Sequence, residues 1–406
     1  MVQAGLAKPV IYFISQAYKK GSKIMSLNEV YINRTSHYFP NNPVSNDEME
    51  EYLGYINGKP SKSRRIVLRN NGITNRYYAL EKGGKATHTN AQLTAEAVKE
   101  LFKSDPEGIR NVDVLSCGTS SPDQIMPSHG VMTHGWLPEL GKLEVVSPSG
   151  VCCAGMHAFK YAYMAVKTGD ADIAVATGSE RFSASLVANQ FEDEVHKLEE
   201  LEQNPYISFD KEFLRWMLSD GASAFLLSNK PNTEGLSLKV EWVEGISYAD
   251  DMESCMYCGA EKLEDGTLKS YLEFSHEELN EKSIMSIKQD VKLLSPNIVP
   301  LGGKPLPELF ERRGLNPDDI TWYCPHMSSN FFKDKIYEEH IKLGHTIPYE
   351  KWFVNLSYVG NVGAASVYFM VDELLNSGKL KKGDKVFLLV PESSRFSYMY
   401  ALLTAV

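Results

Sequence analysis

Continuous apolar runs and one helical stripe predict alternating strands and helices along this chain. Residues 173–176 and 386–390 are apolar runs, as expected of strands in a sheet covered on both faces. After Cys153, small or apolar residues recur at helical spacing, at positions 154, 158, 161, 162 and 165. The pattern also predicts amphipathic helices over residues 90–102 and 277–294.

Three further segments are predicted from local composition. Residues 191–204 are rich in Glu and predict a solvated helical insertion. Residues 315–319 have the composition of a turn. The first 24 residues predict a short tail before the first strand. Its apolar run, residues 10–14, is too short for a signal sequence or a membrane span.

One order of elements occurs twice, with an offset of about 210 residues. In the first copy a strand ends at Cys117, Cys153 opens a helix 36 residues later, and another strand leads to Glu180-Arg-Phe-Ser. In the second copy a strand ends at Cys324-Pro-His, Asn361 opens a helix 35 residues after the histidine, and another strand leads to Ser394-Arg-Phe-Ser. The order predicts two copies of one α/β unit.

The repeat predicts how the chain divides into domains. Residues 1–24 form the tail, residues 25–230 form a first half that carries Cys153, and residues 231–406 form a second half that carries His326 and Asn361. A chain of 406 residues is too long for one small core, so two packed halves are expected. We expect stacked α/β layers in which a pseudo-two-fold axis relates the halves.

Charge and hydropathy narrow the classes of function. The net charge of −10 argues against a general nucleic-acid-binding protein, because neutralising phosphates needs a basic face. No segment contains 18 consecutive apolar residues, so no membrane span is expected. These features predict a soluble, cytoplasmic protein.

Six cysteines are too few for a disulfide scaffold at this length and favour a reducing compartment. Cys255 and Cys258 form a single CxxC pair in an acidic, loop-like stretch. A structural zinc site needs four ligands and no second CxxC exists, so we expect free loop thiols and no metal. Metal or redox work by this pair is the alternative.

If the two halves pack symmetrically, the helix starts at Cys153 and Asn361 meet near the axis. A helix N-terminus carries unpaired N–H groups and partial positive charge, so it favours the thiolate and can hold a developing oxyanion. His326, at a strand end of the other half, then lies across the cleft. Taken alone, a cysteine in a small-residue helix is more often a packing residue.

The chain resembles the β-ketoacyl-acyl-carrier-protein synthase III branch of the thiolase superfamily. The motifs that carry the resemblance are Cys153-Ala-Gly-Met, Pro325-His326 and Gly360-Asn361-Val-Gly-Ala-Ala-Ser366, in that order. Tyr38-Phe-Pro, Gln124-Ile-Met-Pro-Ser128 and Ser219-Asp-Gly-Ala222 add to them. The resemblance spans nearly the whole chain from Met25 and implies the thiolase fold, a duplicated five-layer αβαβα arrangement.

The resemblance also implies a mechanism that needs no cofactor. Cys153 takes an acyl group from a thioester, and His326 and Asn361 donate hydrogen bonds to the carbonyl of the second substrate as it becomes an enolate. The carbanion then attacks the acyl-Cys153 carbonyl. In the family the His and Asn pair also promotes the loss of CO₂ from a malonyl unit. Cys152, the adjacent thiol, is interpreted as a core residue.

The sequence departs from the family where the thioester carrier is recognised. The Trp that stacks on coenzyme A in many relatives is missing, and a basic segment occupies the region. We expect an acidic acyl carrier protein to dock on Arg64, Arg65 and Arg69, and an ordinary solvated surface is the alternative. The whole basic set is Lys59, Lys62, Arg64, Arg65, Arg69 and Arg76.

A second departure concerns the pocket. The segment Glu392-Ser-Ser-Arg-Phe replaces the glycine-rich segment of the family, so Ser394 is expected to supply an oxyanion-hole N–H. Side chains at Ser394, Arg395 and Phe396 are expected to reshape the substrate pocket, with Arg395 holding a carboxylate or packing against Glu180. By the resemblance Met126 lies on a loop that lines the acyl pocket of the neighbour in a homodimer. Methionine adapts to varied shapes and suits a medium or long acyl chain.

These departures resemble the synthase III relatives that form dialkylresorcinols. Such enzymes condense an acyl thioester with a β-ketoacyl thioester and cyclise the product to a cyclohexanedione. Ring closure needs a second base, for which Glu180 is a weak candidate and more often a structural residue. The alternatives are a simple decarboxylative synthase, an O- or N-acyltransferase on the same fold, and a non-catalytic partner subunit.

Overall fold

The computed structural model describes residues 27–61, 64–189 and 214–406. The predicted insertion at residues 191–204 and the predicted tail at residues 1–24 lie outside the described residues. The strands are β1 (Tyr31–Tyr38), β2 (Val44–Ser45), β3 (Asn75–Arg76), β4 (Val114–Thr119), β5 (Glu144–Val146), β6 (Ile173–Glu180), β7 (Gly221–Ser228), β8 (Leu238–Ser247), β9 (Met256–Tyr257), β10 (Ala260–Lys262), β11 (Leu268–Ser270), β12 (Lys288–Gln289), β13 (Trp322–Pro325), β14 (Lys385–Glu392) and β15 (Ser397–Ala405).

Helices cover the sheets and connect their strands. In chain order they are α1 (Met49–Leu53), α2 (Arg64–Asn71), α3 (Asn90–Leu101), α4 (His129–Gly135), α5 (Ala154–Thr168), α6 (Ser183–Leu186), α7 (His276–Glu281), α8 (Val291–Gly303), α9 (Leu306–Arg313), α10 (Lys333–Lys342), α11 (Leu356–Val359) and α12 (Ser366–Asn376). Within the described ranges, no helix combines the length and the apolar character that a membrane crossing requires.

Nine strands form one mixed sheet in the order β13-β14-β15-β8-β1-β7-β6-β4-β5. The second-half strands occupy one end of this order and the first-half strands the other. Within this sheet the two groups join where β1 pairs with β8, through Tyr31 with Lys239 and Ile32 with Leu238. The sheet is therefore two smaller sheets that share a short seam.

The two groups of strands repeat one topology. In the first half β4 runs parallel to β6, β6 antiparallel to β7, and β7 antiparallel to β1. In the second half β13 runs parallel to β14, β14 antiparallel to β15, and β15 antiparallel to β8. A parallel bridge from Tyr323 to Trp352 lies beside β13, as β5 lies beside β4. The predicted duplication of one α/β unit is confirmed at the level of strand order.

The start of α5 packs against the segment that leads into α12, between the two halves. Small residues at the start of α5 allow the approach, because a Cβ on Gly155 would lie 2.1 Å from the Ala364 carbonyl oxygen. The Tyr368 hydroxyl of α12 donates a 2.8 Å hydrogen bond to the Gly155 carbonyl. Helix α5 ends at Thr168, and Gly169 follows it with a φ of 83°, in the left-handed region that glycine accepts without strain. Close backbone packing therefore brings the starts of both helix segments together.

The structure confirms some of the secondary-structure predictions made from local patterns and contradicts one of them. Helix α3 confirms the helix predicted over residues 90–102, and Thr89 with Gln92 forms a capping box at its start. The apolar runs lie within β6 and β14, as predicted. The single helix predicted over residues 277–294 is wrong. That segment contains α7, the strand β12 and the start of α8, because Lys288 and Gln289 pair with Tyr257 and Met256.

Candidate active site

A largely apolar cavity lies where the two halves meet. Cys152, His326 and Asn361 all line it, so one residue from the start of α5, one from the end of β13 and one from the loop before α12 share its wall. Much of the remaining wall consists of aliphatic and aromatic side chains, including Met217, Leu294, Ile298, Val299, Phe332 and Ile336. The cavity has the composition of a site for a largely apolar ligand with a few polar contacts.

A second cavity adjoins the first. It is lined by Ser121, Arg181 and Cys258, among others. Both cavities are lined by Val151, Phe182, Met256 and Ile287. Because Val151 immediately precedes the cysteine pair, the two cavities meet beside the start of α5.

His326 directly follows β13, and its backbone N–H donates to the Leu389 carbonyl at 2.8 Å. The residue is 3% exposed, and within the described part of the chain no hydrogen bond engages its imidazole. Burial lowers the pKa of His326 to about 4, because the charged form loses its hydration. The ring is therefore neutral at pH 7 and carries one N–H that can be donated into the cavity.

Asn361 is fixed by backbone contacts with the first half. Its N–H donates to Met217 at 3.0 Å, and its carbonyl accepts from Ser219 at 2.9 Å. Its side-chain oxygen Oδ1 accepts from the Gly363 N–H at 3.0 Å, which leaves the amide NH₂ as the group available for donation. The prediction that Asn361 opens a helix is wrong in detail. A 3₁₀ turn at Gly363–Ala365 intervenes, and α12 begins only at Ser366.

Cys153 is the N-cap residue of α5, as the prediction of a helix start requires. Its side chain, however, is fully buried and does not line the cavity. The Sγ donates to the carbonyl oxygens of Val390, at 3.3 Å, and Ser397, at 3.7 Å. The expectation that the helix start favours the thiolate is also wrong. Burial and the nearby Glu392 carboxylate raise the pKa of the Cys153 thiol well above its ordinary value.

Cys152 is half-buried and lines the cavity, which corrects its interpretation as a core residue. The residue lies just before the N-cap of α5, and it lines the cavity whereas its neighbour Cys153 does not. Burial also raises the pKa of the Cys152 thiol well above its ordinary value, and the charges of Glu392 and Glu180 raise it further. Two protonated thiols therefore lie at the start of α5, and one of them is in the cavity wall.

The predicted substrate-binding residues lie elsewhere than expected. The Ser394 hydroxyl donates to Glu392 Oε1 at 2.6 Å, and its neighbour Ser393 lines the cavity, whereas the predicted role of the Ser394 N–H in an oxyanion hole stays a prediction. Arg395 is exposed and donates from Nε to the Met252 carbonyl at 2.7 Å, so it does not pack against Glu180. Phe396 is fully buried in the hydrophobic core.

Met126 is 82% exposed and lines neither cavity of this chain. Its predicted role concerns a neighbouring subunit and stays a prediction.

Glu180 is a structural carboxylate. Its oxygens accept hydrogen bonds from the Ser120 and Ser121 hydroxyls, at 2.8 and 2.6 Å, and from the Ala364 N–H at 3.0 Å. Burial raises its pKa to about 7 despite these donors. Glu180 therefore ties the loop after β4 to the segment after Asn361.

Sequence reasoning missed Glu392, the last residue of β14. Its Oε2 accepts from the N–H groups of Val151 and Cys153, at 2.9 and 3.0 Å. The only hint in the sequence was that a Glu stands where the family has a glycine-rich segment. Nothing in the sequence places it against a helix more than 200 positions away.

The predicted docking surface is smaller than the sequence indicated. Arg65 and Arg69 are exposed on α2, whereas Arg64 donates to the buried Glu50 carboxylate at 2.6 Å. Arg76 is fully buried and bonds to Asn46 and the Trp216 carbonyl, so it does not belong to a surface patch. Lys62 lies outside the described residues.

The CxxC cysteines do not behave alike. Cys255 is fully buried, and its thiol donates to the Asp290 carbonyl, so it is a core residue and not a loop thiol. Cys258 is exposed. Among the described residues no group of three or more His, Cys, Asp or Glu side chains is arranged to hold a metal.

Comparison with known proteins finds that the chain is similar to synthase III enzymes. Residues 310–390 match the profile described as 3-Oxoacyl-[acyl-carrier-protein (ACP)] synthase III C terminal. The β-ketoacyl-[acyl-carrier-protein] synthase III of Clostridium perfringens strain SM101 is 23% identical over 354 residues, which span 87% of this chain and 92% of that protein. The enzyme of the same name from Aquifex aeolicus is 22% identical over 358 residues, covering 87% and 93%.

Solved structures give the same fold. The tetronic acid condensing enzyme AbyA1 superposes with a TM-score of 0.72 and 18% identity, over 92% of this chain and 99% of that one. OleA of Xanthomonas campestris, solved with bound lauric acid and lauroyl-CoA, gives a TM-score of 0.69 and 17% identity, over 93% and 99%. The synthase III of Thermus thermophilus gives 0.66 and 20%, over 92% and 98%. These similarities establish the thiolase fold for this chain.

Proposed function

We propose that this chain is a synthase III-like condensing enzyme that joins two acyl thioesters through a new carbon–carbon bond, and its thiolase fold and its similarity to synthase III enzymes support the proposal. The observation that carries the proposal is the shared cavity: His326, Asn361 and Cys152 line one apolar space, and Cys153 lies next to Cys152 at the start of α5. A thiol that accepts an acyl group and two neutral donors aimed at one oxygen are the parts such a condensation needs.

In the first step Cys153 takes the acyl group. The Sγ–acyl bond forms, the bond between acyl carbon and carrier sulfur breaks, and the carrier leaves as a thiol with the proton that Cys153 gives up. In the free enzyme the Cys153 Sγ points to the carbonyls of Val390 and Ser397. Acyl transfer therefore includes a rotation of this side chain toward the cavity.

In the second step the His326 N–H and the Asn361 amide donate to the carbonyl of the second thioester. A donor aimed at the enolate oxygen lowers the barrier by about 2.7–4 kcal/mol in comparable sites. The enolate forms when the α-carbon of a β-ketoacyl thioester gives up a proton to water, or when a malonyl thioester loses CO₂. Its carbon attacks the acyl carbon, the C–C bond forms, the bond between the acyl carbon and Cys153 Sγ breaks, and the thiolate takes up a proton from water. Neutral His326 suits this role, because its lowered pKa keeps the ring uncharged and able to donate one N–H.

The second substrate is proposed to be a β-ketoacyl thioester, with cyclisation of the product to a cyclohexanedione, the precursor of a dialkylresorcinol. The support is the Glu392-Ser-Ser-Arg-Phe segment and the presence of two adjoining cavities that meet beside the cysteine pair. Glu180 is not proposed as the ring-closing base, because its oxygens are engaged by Ser120, Ser121 and Ala364. A malonyl thioester, with loss of CO₂, is the simpler alternative.

The proposed carrier is an acyl carrier protein. Its acidic surface would meet Arg65 and Arg69, which project from α2 into solvent. A homodimer is also proposed, with the exposed loop at Met126 reaching the neighbouring subunit.

The acyl-enzyme provides the test. After incubation with an acyl thioester and tryptic digestion, the fragment of residues 143–160, which contains both cysteines, should gain the mass of one acyl group. Cys153→Ala should abolish that gain, and Cys152→Ala should retain it. Acylation that survives in Cys153→Ala and is lost in Cys152→Ala would transfer the nucleophile to the cavity-facing thiol. No acylation of the wild-type protein by any thioester would end the proposal.

A further inference from the structure

The N–H groups at the start of α5 are already occupied by a carboxylate. Glu392 Oε2 accepts from Val151 at 2.9 Å and from Cys153 at 3.0 Å, and the Ser394 hydroxyl holds the other oxygen at 2.6 Å. Glu392 is only 7% exposed. A Cβ at Gly150 would lie 3.3 Å from Oε2, so the glycine leaves room for the carboxylate to approach.

These N–H groups are the ones that a developing oxyanion on Cys153 would need. Backbone donors at a helix start hold one anion at a time, and here that anion is the Glu392 side chain. The carboxylate charge also opposes a thiolate next to it. The Cys153 Sγ meanwhile donates to the carbonyls of Val390 and Ser397, on the strands that flank Glu392. The N–H groups that an oxyanion would need are therefore occupied by Glu392, and the Cys153 thiol is bonded to backbone carbonyls.

We propose that Glu392 is a positioning residue that holds Cys153 unreactive in the substrate-free enzyme, and that acyl transfer proceeds only after the carboxylate has left the Val151 and Cys153 N–H groups. The inference rests on the proposed function. It assigns Glu392 no covalent or proton-transfer step. Glu392 acts through the N–H groups and through its charge, and an incoming thioester carbonyl competes for the same donors.

The substitution Glu392→Gln removes the negative charge of this side chain and keeps its hydrogen bonds. The amide oxygen can still accept from both N–H groups and the amide NH₂ can donate to the Ser394 hydroxyl, so the variant keeps the contacts of the helix start. The other titratable groups coupled to this site stay in place and include Glu180, His157, Tyr398 and Tyr400. Both proteins carry Cys152→Ala, so that the 143–160 fragment reports Cys153 alone.

The readout is the alkylation rate of Cys153 against pH, with neutral iodoacetamide and anionic iodoacetate. We expect Glu392→Gln to move the midpoint of the alkylation profile of Cys153 to lower pH. The alkylation rate at pH 7 should rise at least tenfold, since lowering the thiol pKa by one unit raises the thiolate fraction tenfold. The alkylation rate should increase more with iodoacetate than with iodoacetamide, because the Glu392 carboxylate repels an anionic reagent and the Gln side chain does not. A loosened helix start would instead raise both rates equally. Glu308→Gln, which removes the same charge from an exposed position of α9, should match the parent.

A second arm measures single-turnover acylation from an N-acetylcysteamine thioester, in which Glu392→Gln should be faster than its parent. An unchanged alkylation profile, or slower acylation in Glu392→Gln, overturns the inference. The two proposals fail separately. If no thioester acylates the wild-type protein, the proposed function fails, while the alkylation profiles still decide whether Glu392 restrains Cys153.

Discussion

Replacing Gly155 by Ala should loosen the contact between the two halves. The new Cβ would lie 2.1 Å from the Ala364 carbonyl oxygen and 3.1 Å from both the Ala364 carbonyl carbon and Tyr368 Cε2. The nearest atom belongs to backbone, so no flexible side chain can move aside. The two segments must separate by roughly 1 Å to restore ordinary contact, and overpacking of this kind costs about 1–3 kcal/mol.

A gain in helix propensity opposes part of this cost. Alanine stabilises a helix interior by about 1 kcal/mol relative to glycine. Because the clash is with backbone, the upper part of the overpacking range applies, and we expect a net loss of about 2 kcal/mol in the free energy of unfolding. Ala364 follows Asn361 by three residues, so condensation should also slow as the carboxamide shifts.

The assay is the urea midpoint of unfolding followed by tryptophan fluorescence. Gly135→Ala is the matched control, because Gly135 is also helical and a Cβ there would meet nothing within 4 Å. The control should be neutral or slightly more stable. A midpoint for Gly155→Ala that equals or exceeds that of Gly135→Ala would refute the close packing of α5 against the segment before α12.

Three further predictions concern the chemistry and the carrier. Asn361→Ala should leave acylation intact and slow condensation about 100–1,000-fold, measured as product formed per acyl-enzyme; equal loss of both steps would contradict its assigned role. Because burial lowers the pKa of His326 to about 4, condensation should show no inflection near pH 6.5 and should decline only as the pH approaches 4, where the ring gains a proton and its charge. A rate profile with its midpoint near 6.5 would show that the imidazole is solvated. Arg65→Glu with Arg69→Glu should raise the KM for carrier-bound substrate and not for a short thioester, whereas Arg110→Glu, at another exposed position, should change neither. An unchanged KM would remove α2 as the docking surface.

The parts of the fold that the sequence predicted are those governed by local physics. The buried strands β6 and β14 are long apolar runs, and α5 keeps its small-residue stripe at helical spacing. The helix predicted over residues 277–294 is wrong, because a strand that pairs with Met256 and Tyr257 divides this segment. Pairing partners that lie about 30 residues away leave no periodic signal in the segment itself.

The sequence predicted which residues meet at the site but not which of their side chains face the cavity. Motif order brought His326 and Asn361 to one cavity, but adjacent residues at a helix start differ by about 100° in direction. The sequence therefore could not tell which thiol of the pair faces the cavity. The contact of Glu392 with the Cys153 N–H depends on how β14 of one half meets α5 of the other, which is set by the packing of whole units. Arg64 was assigned to the surface for a different reason, because the sequence does not show that its partner Glu50, in the same half, is buried.

The most direct test of condensation is the product itself. The protein is incubated with a ¹³C-labelled acyl thioester and an unlabelled β-ketoacyl thioester, and the products are analysed by mass spectrometry. We predict a product that contains the carbons of both substrates, in cyclised form if the resorcinol-type route holds and in linear form if it does not. Release of the labelled chain only as a free acid or as an ester or amide, with no product joined through carbon, would contradict the account.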